Sequence, residues 1–469
     1  MNWQGKRVTV AGLGVSGIPA ARVLHGLGAE VTVVNDGDDE RSRTQAAGLA
    51  ELGVTVRLGD GDTLPAGTEL VVTAPGWRPD KPLFTAAAAA GVEIWGDVEL
   101  AWRLRGPGAA PWLAVTGTNG KTTTVRMLAS ILTAAGLRTA AVGNIGVSLL
   151  DAVAGDETYD VLAVELSSYQ LHWAPSLRAH SAAVLNLAPD HLDWHGSMKA
   201  YAADKGRIYE GNRIACVYNA ADPATEDLVR AADVEEGCRA IGFTLGTPGP
   251  SQLGVVDGIL VDRAFVENRR DRAQELAHVT DVDPPAPHNI ANALAAAALA
   301  RAYGVEPAAV RDGLRAFRPD PHRIELVART GGVTYVDDSK ATNTHAAEAS
   351  LAAYDPIVWI AGGLAKGAAF DDLVSGSAKR LRAVVLIGAD RALIREALAR
   401  HAPEVPVVDL DRTDTGAMPA AVREAARLAQ PGDTVLLAPA CASMDMFTNY
   451  NKRGEAFADA VRALAAEHA

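Results

Sequence analysis

Two glycine-rich segments carry most of the chemistry that this sequence could do. Gly117-Thr118-Asn119-Gly120-Lys121-Thr122-Thr123-Thr124 follows the apolar run Trp112-Leu-Ala-Val-Thr116 and precedes a helical segment predicted from about Val125 to Ala135. In such a loop the backbone amides cradle phosphates, the lysine meets the β- and γ-phosphates, and the adjacent hydroxyl ligates Mg²⁺. On this reading Gly117, Thr118, Asn119, Gly120, Lys121, Thr122 and Thr123 hold a nucleoside triphosphate, and Thr122 also takes the metal. The loop departs from the general GxxxxGK[ST] spacing, because Val115 stands where the first glycine belongs.

The other segment is Gly12-Leu13-Gly14-Val15-Ser16-Gly17, between a strand-like Val8–Val10 and a helical run. A second strand-like run, 31–34, ends at Asn35-Asp36, which places an acidic residue about 20 positions after the glycines. Glycines here let the backbone approach a diphosphate at a helix N-terminus. A turn that only packs strand on helix fits the same residues. UDP and NAD fit the same amides, and Asp36 is placed to accept a hydrogen bond from a sugar or base.

Other polar residues gather where strand-like runs end. Glu165 closes Val161–Val164 and can hold Mg²⁺ or cap a helix. Asp190-His191-Leu192-Asp193-Trp194-His195 follows the next run, and of its two histidines His191 is the preferred metal ligand. Lys205 lies in a helical segment whose spacing alone makes it a surface lysine. His288, Asn289 and Asn292 open an Ala-rich helix, where they can cap it or face a base. Three loops, Asp337-Asp338-Ser339-Lys340-Ala341-Thr342-Asn343, Gly362-Gly363-Leu364-Ala365-Lys366 and Pro439 to Asp445, each follow a strand-like run. Open α/β sheets bind ligands at the carboxyl ends of their strands, so these loops imply one ligand edge on which Lys340 and Lys366 suit a carboxylate or phosphate. Cys441 has no histidine in its segment and reads as packing.

Parallel sheets must position these loops. Short β-branched runs (8–10, 31–34, 70–73, 113–116, 161–165, 183–187, 357–361, 384–387, 434–438) alternate with Ala/Leu-rich helical runs, the mark of an α/β fold. At 469 residues the chain exceeds one ordinary core. Gly106-Pro107-Gly108 and Arg318-Pro319-Asp320-Pro321 break it, which predicts three α/β domains near 1–98, 99–319 and 320–469. The first is Rossmann-like, the second a P-loop-type ATPase, and the third again Rossmann-like.

Composition narrows the partners. The net charge is −13 and no stretch is strongly basic, which argues against nucleic acid or an anionic membrane surface. The Ala-rich runs are too short to span a bilayer, and Met1 to Val10 lacks the apolar core of a signal peptide. The three cysteines, Cys216, Cys238 and Cys441, fit no zinc or disulfide spacing and read as reduced thiols. The expected protein is cytoplasmic, monomeric and not inserted in a membrane.

Taken in order, the motif at 117–122, Glu165-Leu-Ser-Ser-Tyr-Gln170, Asp190-His-Leu-Asp193, His288-Asn-Ile-Ala-Asn292 and Asp338-Ser-Lys-Ala-Thr-Asn343 resemble those of the Mur ligases over nearly the whole chain. Pro439 to Tyr450 with Arg453-Gly454, and the loop at 12–17, look like the D-glutamate-adding branch. The resemblance implies an ATP-dependent, amide-forming ligase of cell-wall peptidoglycan synthesis. Its substrates would be UDP-N-acetylmuramoyl-L-alanine and D-glutamate, and an acyl phosphate would be its intermediate.

By matching position it implies that Lys121 stabilises the γ-phosphate. Thr122, Glu165, His191 and a carbamylated Lys205 would hold Mg²⁺. Asn292 would contact adenine, and Arg323 and Asp338 the ribose or phosphates. Lys340, Thr342, Lys366, Ser443 and Tyr450 would surround D-glutamate. Ser16, Asp36 and Asn144 would face the UDP-sugar. Tyr450 stands where Phe is commoner in the family, and Ala74 where a small hydroxyl residue is often found. A sister ligase adding meso-diaminopimelate lacks support, since no Asp-Asn-Pro-Arg motif is present. A folylpolyglutamate synthase would continue Gly-Lys-Gly-Ser, a nicotinamide dehydrogenase explains only residues 1–36, and a non-catalytic regulator would be free to lose Lys121, Glu165, His191 and Lys205.

Overall fold

Valine-rich runs with one or both faces apolar become strands because their branched side chains pack well on a pleated, buried surface. In a computed structural model, which describes residues 1–467, every such run is a strand, although the one expected at 183–187 forms earlier, at Ser181–Val184. The first sheet comprises β1 (Arg7–Ala11), β2 (Glu30–Asn35), β3 (Thr55–Leu58), β4 (Leu70–Thr73) and β5 (Glu93–Gly96), in the order β3-β2-β1-β4-β5 and all parallel. The order reverses between β2 and β4 around β1, and the loop Gly12–Gly17 leaves β1 at that switch point.

The second sheet comprises β6 (Trp112–Thr116), β7 (Thr139–Gly143), β8 (Val161–Glu165), β9 (Ser181–Val184), β10 (Ala215–Asn219), β11 (Arg239–Phe243), β12 (Gln252–Val256), β13 (Ile259–Asp262) and β14 (Gln274–His278). Its order is β14-β13-β12-β11-β10-β9-β6-β8-β7, with antiparallel pairing only among β12, β13 and β14. β6 lies between β8 and β9, so the loop after β6 sits beside Glu165 on one side and the 185–195 segment on the other. The third sheet comprises β15 (Glu325–Thr330), β16 (Val333–Asp337), β17 (Ile357–Gly362), β18 (Leu381–Ile387), β19 (Val407–Asp409) and β20 (Thr434–Leu437), in the order β15-β16-β20-β17-β18-β19. Only β15 is antiparallel.

The chain separates into two compact units, one formed by residues 1–282 and 289–317, the other by 283–288 and the chain from Arg318 onward. In the first unit one hydrophobic cluster runs from Val8, Val10 and Leu24 through Val98, Leu100 and Ala101 to Trp112, Ala114 and Val164. The helix Asp97–Leu104 thus lends its apolar face to the cores of two sheets. Gly96 fixes this junction: its amide donates to Trp173 O at 2.9 Å, and a Cβ on it would lie 2.8 Å from the Trp173 Cβ. In the second unit the core lies on both faces of the third sheet, with Trp359 on one and Val358 and Ile360 on the other. Among the described residues no helix is long and apolar enough to cross a membrane.

Candidate active site

Two glycines shape the loop after β6. Gly117 (φ +153°) and Gly120 (φ +83°) take left-handed conformations that suit glycine. A Cβ on Gly120 would stand 2.4 Å from Asn292 Oδ1, so this glycine also lets Asn292 pack against the loop. The helix then begins at Lys121 rather than near Val125, which puts Lys121, Thr122 and Thr123 in its first turn. Neighbours pin the loop. Thr118 N donates to Asn186 O at 3.0 Å, Asn119 N donates to Asn186 Oδ1 at 2.9 Å, and Asn186 Nδ2 returns a bond to Asn119 O at 3.1 Å. Thr118 Oγ1 contacts Tyr201 OH at 3.0 Å and accepts from Ala188 N at 3.0 Å. Thr118 is therefore buried as a strut and Asn119 is held through both backbone groups. Lys121 Nζ donates to Gly117 O and Thr118 O, both at 2.9 Å.

Lys205 corrects the reading from spacing. It is 2% exposed, and its Nζ donates to Gly117 O at 2.9 Å and sits 4.7 Å from the Tyr201 ring centre. Burial, and then the nearby charge of Lys121, hold its pKa well below that of an ordinary lysine. Glu165 is equally buried. Its Oε1 accepts from Asn144 Nδ2 at 3.0 Å, whereas Oε2 is buried without a partner. Asn144 N also donates to Glu165 O, and a Cβ on Gly143 would lie 2.2 Å from that same carbonyl. Asn144, expected at the UDP-sugar, is thus anchored at the β8 carboxylate.

His191 stands apart from the buried groups. It has a left-handed backbone (φ 54°), a half-exposed ring tilted on Tyr169 at 4.9 Å, and Asp190 Oδ2 3.5 Å from its Nε2. Its pKa is lowered, first by desolvation; Asp190 opposes the shift, and Lys121 and Lys205 add to it. The other histidine of that motif is fully buried: His195 pairs through Nδ1 with Asp204 Oδ2 at 3.0 Å and through Nε2 with Ser168 Oγ at 2.9 Å. His172 Nδ1 meets Asp204 at 3.0 Å as well, and Arg207 Nε lies 3.2 Å away. Despite desolvation, these partners hold the Asp204 carboxyl at about 2. Asp204 precedes Lys205, so this network fixes the helix turn that carries the lysine. Sequence reasoning missed it, because one aspartate serves two histidines, His172 and His195, from separate segments and nothing in local spacing marks that.

At the loop after β1, a Cβ on Gly17 would fall 1.9 Å from Gly12 O. Ser16 Oγ donates to Asp97 Oδ2 at 2.8 Å, and Asp97 Oδ1 is buried without a partner. Burial raises the Asp97 pKa. Asp36 pairs with Lys81 Nζ at 2.9 Å, which also meets Asp62 at 3.0 Å and lies 4.8 Å from the Trp77 ring centre. Asp97, Lys81 and Trp77 were not singled out from sequence; their signals lie on other strands' loops.

In the second unit two of the three expected loops meet at Arg453, and the third joins them through Leu364 and Ala442. This arginine is fully buried and donates to Ser339 Oγ (3.0 Å), Ser339 O (2.9 Å) and Cys441 O (3.0 Å), which ties the loops after β16 and β20 together. Burial lowers its pKa to about 10. Leu364 bridges Ala442 across the loops after β17 and β20. Gly363 permits the approach, since a Cβ there would meet Ala442 O at 2.2 Å. Lys340 Nζ sits 4.1 Å from the Tyr450 ring centre, and the Thr342 amide donates to Lys340 O at 2.8 Å. Ser443 is buried in the loop after β20, and Lys366 has φ 51°. Cys441 is buried with its thiol pushed up to about 12, as packing requires. Asp338 is raised to about 6 by burial and accepts from Ser350 Oγ, and Arg323 Nε lies 3.8 Å from Asp320. His322 bonds Asp337 at 2.7 Å, and a Cβ on Gly454 would stand 2.2 Å from His322 Nδ1, which accounts for the Arg453-Gly454 pair.

Known proteins resemble this chain in sequence and in fold. Residues 115–300 match the Mur ligase middle domain and 322–441 the Mur ligase glutamate ligase domain. The chain is 86% identical over 465 residues to the UDP-N-acetylmuramoylalanine–D-glutamate ligase of Streptomyces avermitilis (99% of this chain, 100% of the relative). It is 62% identical to that of Thermobifida fusca (99% and 100%). Among solved structures, the UDP-N-acetylmuramate–alanine ligase MurC of Thermotoga maritima shares the fold at TM-score 0.56 and 20% identity (98% and 99% covered). The MurF ligase of the same organism, in complex with ADP, does so at 0.57 and 16% (99% and 96%). With relatives 62–86% identical over 99% of its length, and both domain models matched, the chain belongs to the Mur ligase family.

Proposed function

We propose that this chain joins D-glutamate to UDP-N-acetylmuramoyl-L-alanine at the expense of ATP, a step of peptidoglycan precursor synthesis. The observation that carries this is the 86% identity, over both full lengths, to a ligase of that name. The working domains are 1–98 for the UDP-sugar, 99–319 for ATP and 320–469 for the amino acid.

A carboxylate is a poor electrophile. Phosphorylation of the L-alanyl carboxylate by ATP gives an acyl phosphate whose phosphate then leaves as the amine of D-glutamate attacks. Positioning and charge neutralisation are the protein's share of this reaction. The turn at 117–120, the helix start that follows it and Lys121 bind the phosphates, and Asn292, packed on Gly120, faces the adenine. Arg323 and Asp338 serve the ribose and phosphates. Lys340, Thr342, Lys366, Ser443 and Tyr450 bind D-glutamate. Ser16 and Asp36 serve the nucleotide-sugar, with Asn144 reaching it or orienting Glu165.

The residues fit Mg²⁺, because a buried carboxylate oxygen without a partner needs a cation. Glu165, Thr122 and His191 would hold it, and it would neutralise phosphate charge. Burial, which lowers the Lys205 pKa, favours the amine form that adds CO₂: an N–C bond forms, a proton leaves and a carbamate anion results. The anion would support the metal.

The test is phosphate release with ATP, Mg²⁺ and UDP-N-acetylmuramoyl-L-alanine, with D-glutamate set against L-glutamate, L-lysine and meso-diaminopimelate. Turnover with D-glutamate alone is expected. Turnover only with another amino acid would move the chain to a sister step.

A further inference from the structure

Two of the three cysteines face each other on the nine-stranded sheet, away from the loops just described. Cys216 lies on β10, Cys238 directly precedes β11, and their sulfurs are 3.9 Å apart. β10 and β11 pair in parallel with Cys216 opposite Ala240, so Cys238 reaches its partner diagonally from the turn that enters β11. We propose that Cys216 and Cys238 form a reversible oxidation site, a dithiol that closes to a disulfide with a small hydroperoxide as oxidant.

The two thiols are unequal in the way such a reaction needs. Cys238 is half-buried beside the exposed turn Glu235-Glu236-Gly237, whereas Cys216 is 2% exposed. Only Cys238 is open to a solute. Its thiol is also acidified, chiefly by the hydrogen bond to Cys216. The thiolate is the attacking form, so Cys238 reacts first. Its sulfur attacks one peroxide oxygen, the O–O bond breaks, and an alcohol or water leaves, which gives a sulfenic acid on Cys238. The Cys216 thiol then attacks that sulfur, the S–O bond breaks, and water leaves as the S–S bond forms. Two thiols and one hydroperoxide thus yield one disulfide, one alcohol and one water. The sulfurs must close from 3.9 Å to a bond of about 2.0 Å. Gly237 (φ +90°), whose Cβ position has no atom within 4 Å, leaves the turn room to move. Cys441, buried alone in the second unit, is an internal control.

The experiment treats the full chain with hydrogen peroxide, alkylates free thiols and maps peptides by mass. The expected result is a 216–238 linked peptide that dithiothreitol reverses, with Cys441 recovered as a thiol. Cys238→Ser should abolish the linkage, and Cys216→Ser should leave a sulfenic acid on Cys238 that dimedone traps. Wild-type protein alone decides the matter should a variant fold poorly. Both cysteines recovered as free thiols, or Cys238 oxidised to a sulfinic acid while Cys216 stays free, would overturn the proposal.

Discussion

The two glycine loops of the first unit share a backbone plan and differ in charge. Each leaves a parallel strand through a glycine of positive φ, Gly12 at +108° and Gly117 at +153°, and enters a helix. Each first glycine is pressed on a neighbour, Gly12 on Trp77 and Gly117 on Leu185. Around the second loop stand the cation Lys121, the buried amine Lys205 and a carboxylate oxygen with no partner. Around the first stand Asp36, Asp62 and Asp97, with Lys81 already paired to two of them. Amides at a helix start hold a phosphate in either case. Cations and a metal-ready carboxylate are needed only where phosphate charge shifts during transfer. On the proposed function, the first loop would hold the nucleotide-sugar and the second would cleave ATP.

The largest effect should come from Lys121→Ala, which removes a cation from the transfer loop. Loss of one such donor costs about 10²–10³-fold in kcat. ATP-dependent phosphate release should fall at least that far, and near-normal turnover would remove the P-loop assignment. Lys81→Ala, the matching change at the first loop, should raise the KM for UDP-N-acetylmuramoyl-L-alanine by only a few-fold at unchanged kcat; a kcat loss like that of Lys121→Ala would erase the contrast. Next comes Lys205→Ala. If the lysine works as a carbamate, activity falls about 10²-fold and short carboxylic acids restore part of it. Retained activity would make Lys205 a structural amine only. Below it in size is Lys366→Ala in the second unit. Loss of a charged hydrogen bond to D-glutamate should raise that KM about 10-fold with kcat little changed. An unchanged KM would take Lys366 out of the amino-acid site.

The central strands were legible because most are apolar on both faces, and the transfer loop because glycine, lysine and threonine spacing is local. Glu165 was legible as a strand-end carboxylate. What eluded the sequence is contact between distant segments. By spacing Lys205 looks like a solvent lysine in Tyr-Ala-Ala-Asp-Lys; only the family resemblance set it apart, and the fold turns it under Gly117. The Asp204 clasp of His172 and His195 joins three segments, and Arg453 joins two loops more than 100 residues apart in the chain. The shared core at Val98, Leu100 and Ala101 was hidden because a helix packing on two sheets has the same apolar pattern as one packing on a single sheet.

The smallest predicted effect separates holding a diphosphate from merely packing a helix, the two readings of the first loop. Gly17 and Gly14 divide these roles. A methyl on Gly17 would collide with Gly12 O at 1.9 Å, so Gly17→Ala must push helix from strand. Overpacking of this kind costs about 1–3 kcal/mol, a fall of several degrees in Tm. A methyl on Gly14 meets no atom within 4 Å, and its φ is not positive. Gly14→Ala should leave Tm within about 1 °C of the parent, since surface changes of this kind usually stay within about 0.5 kcal/mol. If the loop holds a diphosphate, that same methyl stands where the ligand must approach, and the KM for UDP-N-acetylmuramoyl-L-alanine should rise several-fold while the KM for ATP does not. An unchanged KM in the stable Gly14→Ala protein would reduce the first loop to packing, and the charge contrast between the two loops would then say nothing about substrate.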